Sequence, residues 1–124
     1  MKRNNVLIID DDTELRKYIV STLNSLGCKT IEASDGEEGL AFFQDFQIDL
    51  VITDIYMPKM NGIELIQNIR QLDSKINIVA MSGDFRNHNH NSLEWAKAMG
   101  ALEIIEKPFD HQDFVSKVQA IIHE

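Results

Sequence analysis

The sequence predicts an α/β sandwich, in which helices cover both faces of one parallel β-sheet. Five short apolar runs, rich in β-branched residues, alternate along the chain with five stretches whose apolar residues recur at helical spacing. Strands that alternate with helices in this way are expected to lie parallel, and right-handed crossovers between them are the strong default. The first run is apolar almost throughout, as expected for a parallel strand that is buried on both faces.

The five strands are predicted at the apolar runs, which cover residues 6–10, 29–33, 49–53, 76–81 and 101–105. Asp12 or Thr13 is expected to cap the first helix, which ends at Gly27, and Asp35 caps the second. The buried stripes of these two helices are predicted to be Leu15, Ile19, Leu23 and Leu26, and then Leu40, Phe43 and Phe46.

Three further helices are predicted in the second half of the chain. The third starts near Asn61 and Gly62, the fourth is a short helix after a polar loop, and the fifth starts at Asp110. Their inward-facing residues are predicted to be Ile63, Ile66 and Ile69 with Leu65, then Leu93, Ala96 and Met99, and finally Phe114, Val118 and Ile121.

Polar side chains stand where four of the strands end. Asp10 and Asp11 follow the first strand, Asp54 follows the third, Ser82 the fourth and Lys107 the fifth. Parallel strands end at one edge of the sheet, and in open α/β sheets that edge is where ligands bind. We therefore expect carboxylates, a hydroxyl and an ammonium to converge there.

Clustered carboxylates repel one another unless a cation lies among them. Hard oxygen ligands select Mg²⁺ or Mn²⁺ over softer metals, and Mg²⁺ commonly binds one or two carboxylates together with phosphate oxygens. The acids at this edge therefore predict a divalent-cation site.

Composition limits the other possibilities. The 124 residues are enough for one domain, and 20 acidic against 12 basic side chains give a net charge of −8. This charge disfavours binding to nucleic acid or to an anionic membrane. Cys28 is the only cysteine, and no signal-like or membrane-spanning apolar segment is present in the sequence, so a cytoplasmic protein is predicted.

These residues together resemble the receiver domain of bacterial two-component response regulators. The resemblance rests on Asp10 and Asp11, on Asp54 in TDIYMPKMNG, on Ser82 in AMSG and on Lys107 in EKPF. It implies a flavodoxin-like sheet with strand order 2-1-3-4-5 and five helices. Residues 1–124 are then expected to be a single receiver domain of the stand-alone, chemotaxis-regulator-like type.

The resemblance also implies a role for each site residue. Asp54 is the phosphoacceptor, which takes a phosphoryl group from a sensor histidine kinase or a histidine phosphotransfer protein. Asp11, Asp54 and the backbone carbonyl of Tyr56 hold Mg²⁺ or Mn²⁺, and Asp10 acts largely through water. Ser82 and Lys107 bind the phosphoryl oxygens. The product signals to a downstream protein or passes the phosphate onward, so the chain is a signalling phosphoacceptor and not an enzyme with a separate substrate.

Three features depart from the family pattern or qualify it. Ile104 stands where an aromatic residue usually takes part in switching. Residues 83–91 form a long polar stretch that carries His88 and His90. We interpret it as a solvated loop that modulates either partner choice or the loop's own motion on phosphorylation. A bulky Tyr56, two residues after Asp54, is expected to slow hydrolysis of the phosphoryl group.

Three other functions fit the sequence less well. A Mg²⁺-dependent hydrolase would need a general base or a lid, and the sequence shows no pattern that indicates either. A nucleotide or flavin binder would need a glycine-rich loop after the first strand, where Asp10, Asp11 and Asp12 stand instead. A purely structural interaction module would not need the complete set of site residues.

Overall fold

The computed structural model describes residues 4–57, 59–82, 94, 97–98 and 100–122. The elements with defined bounds are, in chain order, β1 (Asn5–Ile9), α1 (Thr13–Ser25), β2 (Lys29–Ala33), α2 (Gly36–Asp45), β3 (Leu50–Asp54), α3 (Gly62–Leu72), β4 (Asn77–Ser82), β5 (Glu103–Glu106) and α4 (His111–Ile122). The five strands pair in parallel in the order β2-β1-β3-β4-β5. The predicted fold class and strand order are confirmed.

Alternate residues of each central strand face opposite sides of the sheet. In β1, Val6 and Ile8 pack with α1 and α4, whereas Leu7 and Ile9 pack with α2 and α3. The first core is completed by Ile19, Leu23, Leu50, Ile52, Phe114 and Val118, and the second by Val51, Leu65, Ile66, Ile69 and Ile78. Burial on both faces explains why the central runs are apolar without alternation.

The side chain of the residue before each helix accepts a hydrogen bond from the first turn. Asp12, Asp35 and Asn61 accept from the amides of Leu15, Glu38 and Glu64, respectively. Asp110 likewise accepts from the Asp113 amide at 3.1 Å. Because these caps lie just beyond the carboxyl ends of the strands, helices α1 to α4 all begin at the edge of the sheet that carries the acids.

The structure corrects several predicted boundaries by one or two residues: β1 ends at Ile9, whereas β3 and β4 extend to Asp54 and Ser82. Phe46 was predicted to be buried in the second helix, but it is 52% exposed. The helix ends at Asp45, and the extended backbone of Phe46 (φ −122°, ψ 153°) takes it out of register with Leu40 and Phe43.

Several predictions concern residues outside the described part of the chain. They are the polar stretch 83–91 with His88 and His90, and the inward-facing residues Leu93, Ala96 and Met99 of the short helix. Within that segment the structure describes Glu94, Lys97 and Ala98, which are helical. Across the described ranges, no helix is both long and apolar enough to cross a membrane.

Candidate functional site

Three carboxylates meet at the carboxyl edge of the sheet. Asp10 and Asp11 lie in the short loop between β1 and α1, and Asp54 is the last residue of β3. One oxygen from each carboxylate lies within 4.8 Å of the others. Asp10 is 0% and Asp54 6% exposed, whereas Asp11 is exposed to solvent. The predicted convergence of the acids is therefore present, with two acids buried and one open to solvent.

Lys107 brings a positive charge to the two buried acids. Its Nζ lies 2.8 Å from Asp10 Oδ2 and 3.2 Å from Asp54 Oδ2. The Lys107 amide donates to the Ser82 carbonyl at 2.7 Å, so the ends of β4 and β5 lie side by side. The Lys107–Pro108 peptide bond is cis. Lys107 and Ser82 are thus both at the edge where the sequence predicted them.

Asp54 is held through both of its carboxylate oxygens. Oδ1 accepts from the Ile55 amide at 2.8 Å, and Oδ2 accepts from Lys107. Burial raises the pKa of Asp54 to about 6; the Asp10 charge adds to this rise and the Lys107 ammonium opposes it. Burial alone would lower the pKa of Lys107, but its hydrogen bond to Asp10 and the charges of both acids raise it overall.

Asp10 makes contacts with four groups. Its carboxylate accepts from the Asp12 amide at 2.9 Å as well as from Lys107. Its amide donates to the Ala33 carbonyl at 3.1 Å, and its carbonyl accepts from Arg16 Nη1 at 2.7 Å. Both the main chain and the side chain of Asp10 are therefore fixed by neighbouring elements.

Sequence reasoning missed the contact between Arg16 and the site. The Arg16 Nε also donates to Glu32 Oε1 at 2.9 Å, and Lys17 Nζ lies 3.1 Å from the other Glu32 oxygen. In the sequence, Arg16 resembles any basic residue on an exposed helix face, and Glu32 follows it by 16 residues. No local pattern distinguishes this pair from solvated charges.

The loop after Asp54 packs closely against the strand end. The Gly62 amide donates to the Ile55 carbonyl at 2.7 Å. A Cβ atom on Gly62 would lie 2.3 Å from the Asp54 carbonyl oxygen, which is too close for any other residue without a shift of the backbone. Tyr56 is half-buried and packs on the core beneath α2 and α3. Pro58, which belongs to the same loop, lies outside the described residues.

The donor set fits a hard divalent cation. Three carboxylates within 4.8 Å face one ammonium, so the cluster carries excess negative charge. All three offer oxygen ligands, which Mg²⁺ and Mn²⁺ prefer over softer metals. Asp11, the exposed member, leaves one side of the cluster open to solvent.

Comparison with known proteins agrees with this arrangement. A family model for the response regulator receiver domain matches residues 6–119. The probable transcriptional regulator ycf27 of Guillardia theta is 34% identical over 122 residues, which are 97% of this chain and 46% of that protein. The transcriptional regulatory protein CpxR of Escherichia coli is 33% identical over 119 residues, with shares of 96% and 49%. The chain spans about half the length of these curated relatives.

The backbone is also similar to solved structures. The crystal structure of the Vibrio cholerae chemotaxis protein CheY4 superposes with a TM-score of 0.86 at 27% identity, covering 97% of this chain and 99% of that one. The family model accounts for the region from β1 into α4, including all the acids of the site. The chain therefore belongs to the response regulator receiver domain family.

Proposed function

We propose that Asp54 is the residue that accepts the phosphoryl group in this receiver domain. Receiver domains are signalling phosphoacceptors that partner with histidine kinases or phosphotransfer proteins. The observation that carries the assignment is the position of the Asp54 carboxylate, 3.2 Å from the Lys107 ammonium and within 4.8 Å of the Asp10 and Asp11 oxygens. It combines a nucleophile with the charges that phosphoryl transfer requires.

In the proposed reaction, an Asp54 oxygen attacks the phosphorus of a phosphohistidine on the partner. The new oxygen–phosphorus bond forms as the phosphorus–nitrogen bond breaks, and the departing imidazole takes up a proton from solvent. A pKa of about 6 leaves most of the Asp54 side chains ionised at pH 7, as a nucleophile must be. The domain catalyses its own phosphorylation and, later, the hydrolysis of the phosphoryl group from Asp54.

Two further side chains are proposed to bind the transferring group. The Lys107 ammonium, 3.2 Å from the nucleophile, offsets the charge on the phosphoryl oxygens. The Ser82 hydroxyl, at the end of the adjacent strand, donates to one of those oxygens. Catalysis then depends mainly on positioning and charge, as is general for phosphoryl transfer.

Asp11, Asp54 and the Tyr56 backbone carbonyl are the proposed ligands of Mg²⁺ or Mn²⁺, and Asp10 acts through a water molecule. When bound, the cation supplies positive charge to the phosphoryl oxygens. Asp10 is satisfied by Lys107 and the Asp12 amide. Asp10 is also 0% exposed, whereas Asp11 is open to solvent, and this difference supports an outer role for Asp10.

The output of the chain is also part of the proposal. We treat residues 1–124 as one cytoplasmic receiver domain that signals through phosphorylation-dependent contacts with a downstream protein or passes the phosphate onward. The relatives ycf27 and CpxR are named as transcriptional regulators, and this chain matches about half of each. The expectation that nucleic acid is not a partner, which rests on the net charge of −8, stays a prediction.

The test is the intact mass of the protein after incubation with acetyl phosphate, with and without Mg²⁺. We expect the wild type to gain one phosphoryl group only when Mg²⁺ is present, and Asp54→Asn to gain none. Asp49→Asn is the control, because it makes the same chemical change. Asp49 directly precedes β3, at the end of the strand away from the site. Equal phosphorylation of Asp54→Asn and the wild type would overturn the assignment.

A further inference from the structure

Arg16 connects the main chain of Asp10 to the neighbouring strand. Its Nη1 donates to the Asp10 carbonyl at 2.7 Å, and its Nε donates to Glu32 of β2 at 2.9 Å. The Arg16 side chain is 12% exposed, so it lies mostly within the protein surface. A guanidinium can make both bonds at once because its donors form a rigid fork.

Strand β2 thereby fixes both polar groups of the Asp10 main chain. The Asp10 amide donates directly to the Ala33 carbonyl at 3.1 Å, and the Asp10 carbonyl is tied to Glu32 through Arg16. Glu32 and Ala33 are consecutive residues of the same strand. The chain leaving β1 is therefore held on both sides of the Asp10 α-carbon.

This anchorage matters most for Asp11. The Asp10 carbonyl belongs to the planar peptide unit that contains the Asp11 amide, so fixing the carbonyl also fixes the orientation of that amide. Asp11 is exposed, and no hydrogen bond or ion pair of its side chain is present within the described part of the chain. The position of the Asp11 carboxylate consequently depends on its backbone.

We propose that Arg16 is a positioning residue for the divalent-cation site: with Glu32, it holds the Asp10–Asp11 peptide so that the Asp11 carboxylate is ready to bind the cation. The inference rests on the proposed function, in which Asp11 is a ligand. It assigns Arg16 no contact with the phosphoryl group or with the cation.

The sign of the effect separates this role from a role as a simple charge. If Arg16 acted only through its positive charge, its removal would lower the repulsion felt by the cation and strengthen Mg²⁺ binding. If it positions Asp11, its removal weakens Mg²⁺ binding. Groups that orient metal ligands typically contribute about 10- to 100-fold in affinity.

Lys17 offers a matched control. Its Nζ pairs with the same Glu32 at 3.1 Å, it is 63% exposed, and it comes from the same turn of α1. Within the described residues it has no contact with Asp10. Lys17→Met therefore removes the same charge from the same ion-pair network without removing the anchor.

The test is a titration of the ¹⁵N-labelled chain with MgCl₂, followed by amide chemical shifts in NMR spectra. We expect Arg16→Met to raise the Mg²⁺ dissociation constant about tenfold. Arg16→Lys, which keeps the charge but not the fork, should also weaken binding, and Lys17→Met should stay within about twofold of the wild type. Phosphorylation of Arg16→Met by acetyl phosphate should recover at saturating Mg²⁺.

Amide shifts far from the site report whether each variant is folded, and if Arg16→Met is not, Arg16→Lys serves as the test. Unchanged or tighter Mg²⁺ binding in the folded Arg16 variants would overturn the positioning role, as would equal weakening in Lys17→Met. A wild type that binds no Mg²⁺ and accepts no phosphoryl group would instead overturn the proposed function itself.

Discussion

The Lys107 ammonium lies 3.2 Å from a carboxylate oxygen of Asp54, a residue 53 positions earlier in the chain. Parallel pairing of β3 with β4 and of β4 with β5 brings the two together, since Lys107 directly follows β5 and Asp54 ends β3. Even with this partner, burial raises the pKa of Asp54 to about 6. A carboxylate that resists ionisation more than an ordinary aspartate makes the stability of the cation-free domain depend on pH.

We expect the contribution of Asp54 to the stability of the cation-free domain to be lost as the pH rises from 4 to 6. The pKa of Asp54 is raised from 3.8 to about 6, so the folded state binds its proton more tightly than the unfolded state. The stabilisation of the folded state by the protonated Asp54 is complete below the pKa of this group in the unfolded chain. It is lost as the pH rises through the pKa of Asp54 in the folded domain. The shift corresponds to a loss of about 3 kcal/mol at most.

The measurement is the free energy of unfolding in urea with EDTA, for the wild type and Asp54→Asn, between pH 4 and 7. Asparagine has no proton to lose and stays neutral, so Asp54→Asn should become more stable relative to the wild type as the pH rises. A stability difference between the two proteins that stays constant over this range would contradict the raised pKa.

We also expect Asp11→Asn to stabilise the cation-free domain. Asp11 is exposed, makes no hydrogen bond among the described residues, and lies within 4.8 Å of two other carboxylates. Neutralising Asp11 relieves like-charge repulsion and removes no hydrogen bond. We expect the free energy of unfolding to rise by up to about 1 kcal/mol. Thermal unfolding in EDTA measures the effect, and added Mg²⁺ should reverse the order of the two proteins.

Asp10→Asn provides the contrast. Reasoning from the sequence predicts the same gain at this position, because both acids belong to one cluster. In the structure, however, Asp10 is 0% exposed and accepts from Lys107 at 2.8 Å, so the variant loses a charged acceptor for a largely buried ammonium. We therefore expect Asp10→Asn to be less stable than Asp11→Asn, and equal gains would show that the Lys107 contact contributes little.

The site acids could be located from the sequence because of where they stand. Asp10 and Asp54 each follow an apolar run that must be buried, and a charged residue at such a position needs a reason other than packing. Once the strands are taken as parallel, their ends meet at one edge. The positions of Ser82 and Lys107 follow from the same argument.

The contacts that support the acids could not be predicted in this way. The Arg16–Glu32 pair depends on how α1 is rotated against β2, which residue spacing does not specify. Phe46 continues the apolar pattern of α2, yet the chain leaves the helix at Asp45 and exposes the ring. In both cases, tertiary geometry and not local propensity decides the outcome.

We expect Gly62→Ala to destabilise the domain and to slow its phosphorylation. A Cβ at Gly62 would lie 2.3 Å from the Asp54 carbonyl oxygen and 2.6 Å from the Ile55 α-carbon, both backbone atoms that cannot move aside easily. Overpacking of this kind costs about 1–3 kcal/mol, and here the shift falls on the peptide that carries the nucleophile.

Gly39→Ala is the control for Gly62→Ala. A Cβ at Gly39 would meet Ile9 Cδ1 at 2.5 Å, but that atom is the end of a flexible side chain on the face of β1 beneath α2. We expect a smaller loss of unfolding free energy and a normal rate of phosphorylation by acetyl phosphate. If Gly62→Ala matched the wild type in both measurements, the close approach of α3 to Asp54 would not constrain the site.

The last prediction concerns the lifetime of the phosphorylated state. Tyr56 stands two residues after Asp54, beside the expected path of the attacking water, and it is half-buried against the core beneath α2 and α3. A bulky side chain held there should hinder hydrolysis, so we expect Tyr56→Ala to shorten the half-life of the phosphoryl group several-fold. Met57→Ala, which alters a half-buried neighbour packed on the same core, should change it little. Intact mass followed over time after removal of acetyl phosphate measures the decay, and a wild-type half-life of only seconds would refute the shielding role.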